Sequence, residues 1–120
     1  MTYFFDTYAI IEIIKENKSY EEYNQEEIIT SILNFGELYH ALLRDFNESL
    51  ANEWKEKLKG CYLTLSEDII VNAMKFRFKN KDKNLSFIDC VGYVLAKENN
   101  LKFLTGDKEF ENMENVEFAK

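Results

Sequence analysis

The chain has 120 residues, 46% of them hydrophobic and 31% charged, enough apolar material for one core without disulfide staples. Its formal net charge of −7 argues against a protein that holds nucleic acid by bulk electrostatics, but leaves room for a nuclease whose acids are loaded with metal. No run approaches the roughly 20 apolar residues of a membrane span, and no basic and then apolar leader opens the chain, so a cytoplasmic protein is expected.

Alternating strands and helices are predicted along the chain. Residues 2–5 read as a short buried strand. Residues 7–16 carry Ile10, Ile11, Ile13 and Ile14 at helical spacing. Ser19 followed by Glu22 resembles a capping box that opens a short helix. Residues 27–31 read as a second strand. Residues 33–46 read as an amphipathic helix with Leu38, Ala41, Leu42 and Leu43 inward, and residues 50–58 as another, stopped near Gly60. Residues 61–65 read as a third strand. Ser66 reads as the N-cap of a helix over 69–78, and Ser86 opens a helix to about Asn99. A fourth strand is predicted at 102–105 and a fifth at 116–119. Such alternation implies parallel crossovers and a sheet covered on both faces, a three-layer α/β/α domain with a mainly parallel sheet of four or five strands. There is no proline, linker, repeat or composition break, so one domain over 1–120 is expected. Cys61 and Cys90 lack metal-knuckle spacing and read as free thiols in a reducing compartment.

Ligands of such sheets bind beyond the carboxyl ends of the strands. Asp6 and Asp107 each follow a predicted strand, and Glu37 and Asp89 are placed in the first turns of helices that follow a strand or loop. Each of Asp6, Asp89 and Asp107 also reads as an ordinary helix cap, about as well. Glu37 is harder to dismiss, because Phe35, Leu38 and Ala41 make its helix face apolar. Four converging carboxylates repel one another, and a divalent cation relieves that repulsion. The hard cations Mg²⁺ and Mn²⁺ prefer such oxygen ligands. The hydroxyls of Thr7 and Thr105 are candidates to hold a ligand carboxylate or a metal-bound water from behind, and read about as well as ordinary turn and strand threonines.

The ordered motifs Phe5-Asp6-Thr7, Thr30-Ser31-Ile32 leading into Gly36-Glu37-Leu38, Leu85-Ser86-Phe87-Ile88-Asp89, and Leu104-Thr105-Gly106-Asp107 with Phe110 beyond carry a resemblance over nearly the whole chain. In that order they resemble the PIN-domain nucleases, above all the small single-domain toxins of the VapC type. The resemblance implies a metal-dependent endoribonuclease, the toxin of a toxin–antitoxin pair, with Asp6, Glu37, Asp89 and Asp107 as metal ligands and catalytic acids. It also implies RNA as substrate, a small antitoxin as partner, and a homodimer. Tyr8 departs from the pattern, where many members have a small or polar residue, and would narrow the site mouth.

Other readings carry less. Glu37-Leu38-Tyr39-His40 has the Glu-x-x-His spacing of di-iron bundles, but the required second copy is missing. Phe5-Asp6-Thr7-Tyr8 resembles the opening of aspartyl-phosphate phosphatases, with Tyr8 where the second acid belongs. A non-catalytic, protein-binding PIN-like module is the alternative from another class, and the intact acid set disfavours it. Lys75, Arg77, Lys79, Lys81 and Lys83, interleaved with Phe76 and Phe78, form one basic patch suited to RNA contact. The competing reading makes the aromatics core and the cations partners of the helix dipole.

Overall fold

The computed structural model describes residues 2–120. Its centre is a parallel sheet of three short strands, β1 (Tyr3–Phe5), β2 (Lys102–Thr105) and β3 (Val116–Phe118), in that spatial order. Phe4 faces Phe103 and Phe5 faces Leu104 across the β1–β2 ladder. Strand side chains alternate between faces. Phe4 and Phe103 therefore enter one core, whereas Phe5 and Leu104 enter the other.

Among the described residues five α-helices cover the two faces. On the Phe5 side lie α1 (Thr7–Ile14), α2 (Ile32–Asp45) and α3 (Glu48–Lys57), contributing Ala9, Ile10, Leu38, Leu42 and Ala51 to the core. On the Phe4 side lie α4 (Glu67–Lys79) and α5 (Phe87–Glu98), contributing Ile69, Ala73 and a nearly continuous buried run from Cys90 to Ala96. The expected three layers are present. Among the described residues no helix is long and apolar enough to cross a membrane.

The predicted strands at 27–31 and 61–65 contract to a single parallel bridge, Thr30↔Tyr62. They still extend the sheet outward from β1, since Phe5 N donates to Ile29 O at 2.8 Å. The ladder stops because Thr30 Oγ1 donates to Phe5 O at 2.8 Å, filling an acceptor at the strand end, and because Ser31 already caps α2. The chain thus leaves β1 first toward Thr30 on one side and later returns through β2 on the other. That reversal makes the carboxyl end of β1 a topological switch point, where open α/β sheets bind ligands.

Local chemistry accounts for the other differences. The short helix is a 3₁₀ turn, Lys18–Tyr23, capped by Asn17 Oδ1 in place of Ser19. Leu43 faces outward, 44% exposed, because the inward stripe of α2 runs through Leu38, Ala41 and Leu42. Glu37 sits in the second turn of α2 rather than the first, five residues beyond the first helical residue, Ile32. Cys90 is buried and Cys61 half-buried, both as free thiols.

Candidate active site

Asp6 ends β1 and caps α1, accepting from Thr7 N at 2.9 Å. Its other oxygen accepts from Thr105 Oγ1 at 2.8 Å, at the carboxyl end of β2. Thr105 Oγ1 in turn accepts from Asp107 N at 3.1 Å, so one hydroxyl fixes Asp6 and the turn that carries Asp107. Asp107 Oδ1 accepts from Glu109 N at 3.0 Å and caps the 3₁₀ turn Lys108–Phe110. Asp89 and Ser86 form a full capping box at the start of α5: Asp89 N donates to Ser86 Oγ at 3.1 Å, and Ser86 N donates to Asp89 Oδ2 at 3.0 Å. Three of the four acids are therefore caps, as their local sequence suggests, and capping is what aims them.

Those three and Glu37 line one cleft of about 410 Å³, together with Thr7, Tyr8, Ile11, His40, Ala41 and Arg44. Asp6 lies at its base, 3% exposed. Burial pushes its carboxyl up to about 8, with the negative charges of Asp89 and Glu37 adding to the rise and the Thr105 and Thr7 hydrogen bonds opposing it. The Asp89 carboxyl is also raised, first by burial, with Asp107 and Glu37 contributing and the Ser86 hydrogen bonds pulling it back. The four charges thus feel one another, and among the described residues no Lys or Arg ion pair neutralises any of them. No three acid, histidine or cysteine side chains among the described residues stand close enough to make a finished cation cage. The donor set itself fits a hard divalent ion. It offers carboxylate oxygens on four separate elements, one of them buried without a countercharge, and no thiolate.

Thr7 makes its side-chain hydrogen bonds with Asn34. Its Oγ1 accepts from Asn34 Nδ2 at 3.0 Å, and Asn34 Oδ1 accepts from Ser31 Oγ at 2.6 Å. This buried chain joins the start of α1 to the start of α2 and so places Asp6 relative to Glu37. Asn34 was not among the expected site residues, although Ser31-x-x-Asn34 before an apolar run is a readable helix-start signal. Neither was Arg44, which lies seven residues beyond Glu37 on the same helix face.

Tyr8 lines the cleft as its position implied, and packs over Gly106 so closely that a Cβ there would collide with its ring and with Ala119 O. The residues of the basic patch line hollows other than the acid cleft. Phe76 is core, stacked on Tyr93 with ring centres 4.7 Å apart. Phe78 is 70% exposed, and Lys81 Nζ stands over its ring. Arg77 Nε donates to Leu85 O at 3.2 Å. Arg77, Phe78, Lys81 and Lys83 border a groove of their own, while Lys75 and Lys79 border an apolar hollow on α4.

The PIN domain family matches residues 3–116. The chain belongs to the PIN-domain family. Solved structures agree with its fold. A toxin-antitoxin complex from Klebsiella pneumoniae contains a chain 16% identical, with TM-score 0.76, covering 98% of this PIN domain and 96% of that chain. VapBC-1 from nontypeable Haemophilus influenzae is 21% identical with TM-score 0.73, over 98% and 96%. VapBC2 from Rickettsia felis, bound to a DNA fragment from its promoter, is 16% identical with TM-score 0.71, over the full length of both chains. No curated protein matches this PIN domain in sequence.

Proposed function

We propose that this PIN domain is a metal-dependent endoribonuclease and the toxin of a toxin–antitoxin pair. The observation that carries the reading is the meeting of Asp6, Glu37, Asp89 and Asp107 in one cleft without a neutralising ion pair among the described residues. Those four would hold Mg²⁺ or Mn²⁺. When bound, such an ion activates water and stabilises charge developing on a phosphodiester. Thr105 and Ser86 hold Asp6 and Asp89 in fixed orientations, so little reorganisation is needed when the cleft is loaded. Tyr8 and Ile11 line the cleft beside the acids, and Tyr8 offers a ring to a base. Lys75, Arg77, Lys79, Lys81 and Lys83 give the strand a second place of contact, where Phe78 and Lys81 present a stacking face beside cations.

The toxin assignment draws support from the structural neighbours, two of them VapBC complexes and one another toxin-antitoxin complex. By the same likeness the partner is a small antitoxin. A homodimer is proposed on the family resemblance.

Purified protein incubated with single-stranded RNA should cleave it with Mg²⁺ or Mn²⁺ and stop with EDTA. Asp89→Asn should lower the rate on the order of 10²-fold or more. Cleavage that persists undiminished in EDTA would rule out this mechanism.

A further inference from the structure

The acid cleft has a cationic end. Arg44 is the one Lys or Arg among its lining residues, on the same face of α2 as Glu37 and Ala41. The seven-residue interval to Glu37 is about 10 Å along the helix. The Arg44 guanidinium is not spent on the cleft acids. Its Nε donates to Asp45 Oδ1 at 2.9 Å and its Nη2 to Asp45 Oδ2 at 3.0 Å. The two side chains are 61% and 50% exposed, and an exposed pair of this kind is screened by water and readily exchanged. His40, one turn earlier on α2, borders the cleft as well.

A polyanion entering a cleft floored by four carboxylates in a chain of net charge −7 needs a local attraction. A guanidinium offers a fork that matches two phosphate oxygens. We infer that Arg44 is the phosphate clamp of this cleft, leaving Asp45 to take, bidentately, a phosphodiester flanking the one presented to the carboxylates. Asp45 is its placeholder, keeping the fork parked at the rim when no strand is bound. The inference rests on the reading of the cleft as an RNA site and adds the residue that holds the strand.

The test measures fluorescence anisotropy of a labelled single-stranded RNA with the full chain, in EDTA, across a series of salt concentrations. The variants are Arg44→Gln, Arg44→Lys and Asp45→Asn, all at exposed positions, with folding checked by circular dichroism. Arg44→Gln should bind about five- to tenfold more weakly. It should also make the slope of log affinity against log salt shallower by about 0.7. Arg44→Lys should restore the slope but not the affinity, because it keeps the charge and loses the fork. Asp45→Asn should bind more tightly than wild type. Equal affinity and slope for wild type and Arg44→Gln, or no RNA binding by wild type, would overturn the clamp. Mn²⁺-dependent cleavage by wild type is scored separately. Cleavage with binding indifferent to Arg44 sinks the clamp alone, whereas Arg44-dependent binding without cleavage keeps the clamp and sinks the nuclease reading.

Discussion

Asp6 is a buried helix cap whose surroundings act on its charge in opposite directions. As a cap it accepts two hydrogen bonds, which favour its charged form. Its burial and the acids around it favour the neutral form more strongly, raising it from the ordinary 3.8 to about 8. A carboxyl raised in the folded state binds more protons there than in the unfolded chain. Its contribution to stability is complete below the unfolded value and is lost as pH rises through the folded one. Wild type in EDTA should therefore lose stability between about pH 4 and about pH 8. Asp6→Asn, neutral throughout, should match wild type near pH 4 and melt above it by a widening margin up to pH 8, while losing activity. Thermal melts in EDTA across that range decide the matter; superimposed curves at every pH would mean Asp6 is an ordinary solvated cap. At this scale the sequence was clear about the acids themselves. What it left open was whether each was only a cap, and three of them are caps and cleft residues at once.

At the scale of elements, helix starts do the aiming. The Ser86–Asp89 box was legible in Leu85-Ser86-Phe87-Ile88-Asp89, and it ties the carboxylate to the first turn of α5. Ser86→Ala should cost roughly 1 kcal/mol by loss of the cap. It should also lower cleavage by freeing Asp89, and comparing the chemical-denaturation midpoint with the cleavage rate separates the two effects. The Asn34 relay between α1 and α2 was not legible, since its partner Thr7 is 27 residues away. Asn34→Ala removes the acceptor of the buried Ser31 hydroxyl and the donor to Thr7 Oγ1, leaving both hydroxyls only their bonds to the backbone of residue 34. A loss of about 1–3 kcal/mol is expected. A loss under a few tenths of a kcal/mol in urea unfolding would show that the relay does not join the helices.

For the whole molecule, charge sets the terms. Four acids that repel in the free protein should make metal binding a stabilising event. At a hundredfold excess over its dissociation constant Mn²⁺ should add about 2.7 kcal/mol. Asp6→Asn should gain less. Melting curves that do not move with Mn²⁺ for either protein would remove the metal site. The chain is 14.3 kDa, and the proposed homodimer should sediment as twice that mass at micromolar concentration. Aromatic material is partly committed already: Phe4, Phe5, Tyr20, Phe103 and Phe110 are fully buried, which leaves exposed groups such as Phe46 and Phe78 for any second copy. A single 14.3 kDa species would exclude the dimer.

Periodicity and capping are local, and local signals survive in a bare sequence. They determined the order of the five α-helices and of the three paired strands, the helix starts at Ser66 and Ser86, and the caps Asp6 and Asp107. Pairing and proximity are not local. Whether 27–31 and 61–65 would complete strands depended on where the Thr30 hydroxyl found an acceptor, and that acceptor is the carbonyl of Phe5. The sharing of Thr105 between Asp6 and Asp107, the Thr7–Asn34 link and the presence of Arg44 at the cleft each join segments far apart in the chain. Tertiary structure alone decided these, because a hydrogen bond or a shared cleft depends on distance in space, which helical and strand periods do not encode.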